Sequence, residues 1–128
     1  MTQIVDASAL GAVLFGEDAE FWVRARTRGQ NLIAPVLLPF EVGNLCWKRM
    51  RRMPDLADQF MAIFSSWLAS TVIRIEPVDS LGALRLAREH DLTFYDASYL
   101  WLARHLNAEL VTLDRALAQA AARFTPGC

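Results

Sequence analysis

The sequence predicts an α/β fold: an α/β/α sandwich built on a four- or five-stranded, mostly parallel sheet. Short runs rich in Val, Ile and Leu alternate with pairs of helical segments, so the connections between consecutive strands are long. Long helical connections favour parallel strands that are covered by helices on both faces. The chain has 128 residues and a hydrophobic fraction of 54%, which suffices for one core, so we expect a single domain over 1–128.

The predicted elements follow in order along the chain. Four strands are expected from β-branched and apolar runs, at 3–6, 31–35, 71–77 and 108–113. Seven helices are expected between and after them, at 7–16, 17–28, 37–52, 55–69, 79–90, 95–106 and 114–123. In the helix that opens at Asp79, Leu81, Leu84 and Ala87 share one face.

Three aspartates follow apolar runs directly, namely Asp6, Asp96 and Asp114. Each is placed to cap a helix, because a short polar side chain there accepts a hydrogen bond from a free backbone N–H group. The parallel sheet adds a second expectation, since Asp6 and Asp114 leave their strands at the carboxyl edge, where sites form. Asp96 lies in line with Leu100 and Ala103, so its carboxylate is expected to point inward. These acids are therefore candidates for a shared site as well as for caps.

Glu41 cannot be explained as a cap, because it lies inside a predicted helix in line with Leu37 and Leu45. A buried carboxylate without a partner is unstable or stays protonated. Twelve of the 13 basic residues are arginines, and none of them lies at helical contact spacing before Glu41. The single lysine is Lys48, so the sequence shows no clear cationic partner for this acid.

A divalent metal ion would relieve the repulsion among these acids. Four converging carboxylates raise one another's pKa unless a positive charge lies among them. Mg²⁺ or Mn²⁺ prefers oxygen ligands and tolerates water, so carboxylates and a substrate phosphate form a suitable ligand set. Such a metal polarises the phosphate and generates hydroxide for in-line attack. The hydroxyls of Ser8 and Thr112 are expected to orient the acids, with local capping of the backbone as the alternative role for both.

Four motifs occur in one order along the chain: IVDASAL, PFEVGN, LTFYDASYLWLA and LVTLDRAL. In sequence and separation they resemble the PIN-domain ribonucleases, most of all the VapC-type toxins of bacterial type II toxin–antitoxin modules. The resemblance covers nearly the whole chain. It implies that the catalytic metal ligands are Asp6, Glu41, Asp96 and Asp114, with Ser8, Asn44 and Thr112 at the accompanying polar positions.

The same resemblance implies an Mg²⁺- or Mn²⁺-dependent endoribonuclease with RNA as its substrate. It implies a homodimer and a cognate antitoxin protein that occludes the site. It also implies a terminal strand, which is expected to be shortened or missing because only FTPGC (124–128) follows the last predicted helix.

Other functions remain to be weighed against this one. A phospho-acceptor receiver domain needs a lysine after a late strand, and Lys48 lies in the middle of the chain. A phosphatase with an aspartyl nucleophile needs a second aspartate where the chain has Ser8. A PIN nuclease outside any toxin system, or a catalytically silent module that binds metal or RNA, stays open.

The densest basic run is WKRMRR, at 47–52. Its members are Trp47, Lys48, Arg49, Arg51 and Arg52, and they are candidates for contact with RNA or with the antitoxin. A solvated helix end is the alternative. The net charge of −1 creates no general attraction for nucleic acid, so binding depends on such a local patch. Trp47 is expected to be partly exposed at an interface or for base stacking.

The composition also leads to expectations about location and assembly. The longest uncharged run covers 60–73, which is too short to span a bilayer, and Asp6 interrupts the first apolar segment. We therefore expect a cytoplasmic protein without a membrane segment. The apolar content is high for a small domain, which favours a homodimer and an apolar groove. This groove is expected to be lined by Phe15, Phe21, Trp22 and the helix that ends at Met53.

Overall fold

The computed structural model describes residues 1–123, and its elements follow the predicted order. The strands are β1 (Thr2–Val5), β2 (Asn31–Ala34), β3 (Arg74–Ile75) and β4 (Glu109–Val111). The helices are α1 (Ala7–Leu14), α2 (Glu20–Thr27), α3 (Leu38–Arg52), α4 (Ala57–Ser70), α5 (Ser80–His90), α6 (Phe94–His105) and α7 (Arg115–Ala122), and a 3-10 turn at Pro54–Leu56 precedes α4. Within residues 1–123, none of the helices has both the length and the apolar character of a membrane span.

The four strands form one parallel sheet in the order β3-β2-β1-β4. β1 lies in the middle, with Ile4 paired to Ile33 of β2 and Val5 paired to Val111 of β4. The carboxyl ends of the strands therefore meet at one edge of the sheet. This arrangement confirms the prediction of an α/β fold with a mostly parallel sheet of four or five strands. The predicted loss of a terminal strand concerns 124–128, which lie outside the described residues.

Polar side chains begin four of the helices. Asp6, Asp79 and Asp114 accept hydrogen bonds from backbone N–H groups in the first turns of α1, α5 and α7. Thr93 does the same for α6, accepting from the N–H of Asp96 at 3.1 Å. The capping prediction is therefore correct for Asp6 and Asp114 and wrong for Asp96, because α6 begins earlier, at Phe94. Asp96 lies inside the first turn, and its carboxylate is not used by the cap.

The core lies around β1, because this strand is paired on both edges and covered by helices. Ile4 and Val5 have no exposed surface. Leu38 and Val42 of α3 and Leu100 of α6 are equally buried. The core therefore holds the first strand, α3 and α6 in fixed positions relative to one another, and these are elements that carry or precede the candidate acids.

Helix α5 buries only part of the face that carries Leu81, Leu84 and Ala87. Ala87 is buried, but Leu81 and Leu84 are each 55% exposed. The helix approaches α6 through Gly82, where an added Cβ would lie 2.5 Å from Nε1 of Trp101. The buried residues of the helix are Ala83, Leu86 and Ala87.

Several elements are shorter than predicted, among them the strand expected at 108–113, which covers Glu109–Val111. The strand expected at 71–77 pairs only through Arg74–Ile75, because it lies at the sheet edge and the N–H of Thr71 still bonds to Trp67 at the end of α4. The helix expected at 17–28 begins at Glu20.

Candidate active site

A cavity of about 510 Å³ opens at the carboxyl edge of the sheet. The polar side chains that line it are Asp6, Ser8, Glu41, Asn44, Lys48, Tyr95, Asp96, Tyr99 and Asp114. The four acids singled out by the sequence therefore share one space, together with Ser8 and Asn44. Thr112 lies behind this lining and is buried.

Asp6 follows β1 and is 5% exposed. Its Oδ1 accepts hydrogen bonds from Ser8 at 2.7 Å and from the backbone N–H of Ala9 at 3.0 Å. Its Oδ2 accepts from Thr112 at 2.5 Å. Burial raises the pKa of the Asp6 carboxyl, and the nearby Asp114 charge adds to the increase, whereas the three hydrogen bonds oppose it. The carboxylate is thus held in one orientation in a site that disfavours its charge.

The hydroxyls of Ser8 and Thr112 each have two roles. Besides donating to Asp6, Ser8 accepts from the backbone N–H of Leu113 at 2.9 Å. Thr112 likewise accepts from the N–H of Asp114 at 3.0 Å. Contact with the acid and capping of the backbone are alternative predictions for these hydroxyls, and in the structure both occur. These hydroxyls tie the end of β1 to the end of β4.

Glu41 has a partner that the sequence analysis missed. The hydroxyl of Tyr99, on α6, donates to Oε1 of Glu41, on α3, at 2.6 Å. Tyr99 is 1% exposed, and burial followed by the Glu41 contact raises its pKa, so the hydroxyl remains a donor. Burial also raises the pKa of Glu41, and the Tyr99 hydrogen bond acts against this increase. One signal was present: Tyr99 lies one helical turn after Asp96, toward the same face of α6.

Asp96 and Asp114 complete the acidic lining from two different helices. Burial raises the pKa of Asp96, and the charges of Asp114 and Asp6 add to the increase. Asp114 caps α7 by accepting from the N–H of Leu117 at 2.8 Å. Within residues 1–123, no group of three or more Asp, Glu, His and Cys side chains is arranged closely enough to hold a metal ion. The acids therefore line a shared cavity without forming a closed cage.

The basic run at 47–52 does not form one continuous patch. Lys48 lines the acidic cavity. Arg49 instead pairs with Glu17, and its guanidinium lies 4.4 Å from the centre of the Phe15 ring. Arg51 lies over Trp47, and Arg52 is exposed. Trp47 is 54% exposed, as predicted.

The residues predicted to line one apolar groove do not all lie together in the structure. Phe15 is half-buried, because it packs edge-on against Phe60 and beneath Arg49. Trp22 lines a depression beside β4 and α7, whereas Trp47 lines a separate one between α3 and α4. The exposed apolar surface is thus divided between at least two faces.

Residues 4–123 match the PIN-domain family model. The chain is 33% identical to ribonuclease VapC3 of Pyrobaculum aerophilum over 123 residues, which are 93% of this chain and 94% of the relative. It is 36% identical to exonuclease VapC9 of the same organism over 115 residues, which are 89% of this chain and 81% of the relative.

Two solved structures share this fold. The crystal structure of PAE2754 from Pyrobaculum aerophilum superposes with a TM-score of 0.74 at 32% identity, over 94% of this chain and 79% of the other. That of VapC20 from Mycobacterium tuberculosis, a toxin that cleaves the sarcin–ricin loop, gives a TM-score of 0.67 over 92% of this chain and 94% of the other. Its identity is 17%, so this second likeness concerns the fold alone.

Proposed function

The chain belongs to the PIN-domain family, and on this premise we propose that it is a metal-dependent ribonuclease, the toxin of a type II toxin–antitoxin module. The observation that carries the proposal is the convergence of Asp6, Glu41, Asp96 and Asp114 on one cavity. The names of the two similar curated proteins, a ribonuclease and an exonuclease, support hydrolysis of nucleic acid.

The donor chemistry of the cavity suits Mg²⁺ or Mn²⁺. Carboxylate oxygens are the preferred ligands of both ions, and the raised pKa values of three of the acids reflect burial and mutual repulsion that a cation would relieve. Mg²⁺ is usually bound by one or two carboxylates with several waters and substrate phosphates, so a closed protein cage is not required. When bound, the ion would polarise the scissile phosphate and favour ionisation of the attacking water.

The protein side chains have distinct parts in this proposal. Asp6, Glu41, Asp96 and Asp114 bind the ion or its waters. Ser8 and Thr112 fix the orientation of Asp6, and Asn44 offers an amide in the same cavity. Tyr99 fixes Glu41 from the opposite helix. The acids are thus held in position before substrate arrives, which reduces the reorganisation needed for catalysis.

The test is Mg²⁺-dependent cleavage of RNA by the wild type and by Asp96→Asn and Glu41→Gln, neither of which removes a helix cap. Asp79→Asn is the control for loss of a carboxylate elsewhere in the protein, because Asp79 does not line the cavity. We expect both cavity variants to lose cleavage and the control to retain it. Wild-type rates in Asp96→Asn and Glu41→Gln would contradict the proposal.

The name of the exonuclease relative raises a second candidate, cleavage from an RNA end. A circular single-stranded RNA distinguishes the two modes, because only an endonuclease can open it. We expect opening, since the family resemblance implies internal cleavage. A circle that stays closed while linear RNA is degraded would establish the exonuclease instead.

The proposal extends to partners and location. We propose that the protein acts in the cytoplasm as a homodimer and that a cognate antitoxin blocks the cavity. Phe21, Trp22 and Trp47 are 84%, 46% and 54% exposed, which supports contact with other chains.

Growth arrest on induction, relieved by the product of an adjacent small reading frame, tests the toxin role. A protein that cleaves RNA without arresting growth would be a PIN nuclease outside such a module. Sedimentation as a monomer would contradict the homodimer.

A further inference from the structure

Two exposed aromatic side chains stand directly before two of the cavity acids. Phe40 precedes Glu41 in the first turn of α3, and Tyr95 precedes Asp96 in the first turn of α6. Both rings line the acidic cavity, yet Phe40 is 76% exposed and Tyr95 is 60% exposed. The aromatic rings therefore form a rim beside the carboxylates, contributed by two separate helices.

This rim is not explained by the packing of the domain. Tyr99, one turn further along α6, is 1% exposed and contributes both to the core and to the Glu41 contact. Phe40 and Tyr95 leave most of their surface in solvent, where an aromatic ring contributes little to folding. An exposed flat apolar surface beside a polar site is suited to a ligand that is itself flat and attached to polar groups.

Lys48 supplies the complementary charge. It lies on α3, about two turns after Glu41, and lines the same cavity. No carboxylate of residues 1–123 forms an ion pair with it. Arg49 next to it is already paired with Glu17. Of the basic run at 47–52, Lys48 is thus the member placed to bind an anion at this site.

We propose that Phe40 and Tyr95 stack on nucleobases next to the cleaved bond and that Lys48 contacts a neighbouring phosphate. This inference rests on the proposed function and names the residues that hold its substrate. Bases stacked inside a duplex offer no free face, so the rim selects a segment whose bases are unpaired. Aromatic stacking tolerates any base, whereas the lysine contact follows the backbone, so the two contributions can be measured separately.

The experiment compares two single-stranded RNA oligonucleotides of equal length, one with bases and one with abasic sugars at the central positions. Binding is measured by fluorescence anisotropy in Mg²⁺, in the Asp96→Asn background so that the RNA stays intact. Phe40→Ala and Tyr95→Ala are compared with Phe21→Ala, which removes an 84% exposed ring on α2 outside the cavity. Phe40→Tyr and Tyr95→Phe keep the ring faces and serve as conservative variants.

We expect Phe40→Ala and Tyr95→Ala each to weaken binding of the normal RNA about tenfold and to leave the abasic RNA nearly unaffected. Phe21→Ala and the conservative variants are expected to bind both RNAs like the background protein. Lys48→Ala is expected to lower the salt slope by about 0.7 on both RNAs, as for one lost phosphate contact on a single strand.

Binding of both RNAs by Phe40→Ala and Tyr95→Ala at the level of Phe21→Ala would overturn the inference and leave the rim to a protein partner. An equal loss on the two RNAs would also overturn it, because stacking requires bases. Failure of the proposed function is recognised separately, because Asp96→Asn would then still cleave RNA.

Discussion

Asp6 at the start of α1 and Asp79 at the start of α5 accept the same local hydrogen bond in different surroundings. Each binds the backbone N–H three residues ahead, at 3.0 Å for Asp6 and 3.2 Å for Asp79. Asp79 is exposed and has Gly82 as its partner. Asp6 is buried, receives two side-chain hydroxyls and shares a cavity with three other carboxylates. One aspartate can therefore cap a helix and also line an acidic cavity, and its neighbours distinguish it from an aspartate that only caps.

The largest expected difference between the two positions is in RNA cleavage. Asp6→Asn retains a capping side chain but removes a cavity charge, so we expect cleavage to fall more than about hundredfold, beyond the effect typical of orienting groups. Asp79→Asn is expected to retain the wild-type rate. Initial rates on one RNA at saturating Mg²⁺ provide the measurement.

Folding gives the control for this comparison. Asn caps a helix about as well as Asp, so both variants are expected to unfold within about 1 kcal/mol of the wild type without metal. An Asp6→Asn protein that is unfolded without metal would contradict this expectation, because its loss of cleavage would then reflect loss of the fold.

A smaller effect is expected from the hydroxyl behind Asp6. Thr112→Val keeps the shape of the side chain but removes its hydrogen bond to Oδ2, so we expect cleavage to fall about 10- to 100-fold. Thr27→Val is the matched control, because its hydroxyl donates to the carbonyl of Val23 in α2, away from the cavity. Equal rates for the two variants would show that orientation of Asp6 by Thr112 has no catalytic value.

Tyr99→Phe is expected to lower the rate of RNA cleavage about tenfold, as for loss of one hydrogen bond to a charged group. The ring remains in the core, but Glu41 loses its hydroxyl partner. Because Glu41 is only half-buried, we expect a loss of about 1 kcal/mol in the free energy of unfolding. Tyr95→Phe, which removes an exposed hydroxyl, is the control for both measurements. A raised Mg²⁺ requirement in Tyr99→Phe alone would distinguish positioning of Glu41 from a general loss of stability.

The smallest expected effect concerns the pH dependence of stability without metal. Folding raises the pKa of Asp6, Glu41 and Asp96, so between the unfolded and folded values the folded state holds more protons than the unfolded chain. These groups stabilise the folded state most below about pH 4. This part of the free energy of unfolding is lost as the pH rises through their pKa values in the folded state. Melting temperatures in EDTA should reflect this loss, and Asp96→Asn should make it shallower. An equally steep dependence in the variant would contradict this assignment.

The sequence predicted the sheet and the acids because both depend on local patterns. Alternating apolar runs and helical segments define the order of elements along the chain, and parallel strands bring Asp6 and Asp114 to one edge. The inward position of Asp96 followed from helical spacing, although its assignment as a cap did not hold. The roles of these acids stay predictions until they are measured.

Contacts between distant elements could not be read in this way. Tyr99 meets Glu41 across 58 positions of sequence, and no pattern within either helix specifies that contact. The side chain of Arg49 forms an ion pair with Glu17, because α3 packs against α1, close to the loop that carries Glu17. Leu81 is exposed because the residues that α5 buries against its neighbours are Ala83, Leu86 and Ala87. Each of these outcomes is decided by tertiary packing.

Calorimetric titration with Mn²⁺ tests the central claim most directly, because it measures ion binding without RNA or catalysis. The proteins are the wild type, Asp6→Asn and Asp79→Asn. Both variants change a helix cap, but only Asp6 lines the cavity. We predict saturable binding by the wild type and by Asp79→Asn with the same affinity, and binding at least about tenfold weaker by Asp6→Asn. No Mn²⁺ binding by the folded wild type, or equal binding by all three proteins, would contradict the account.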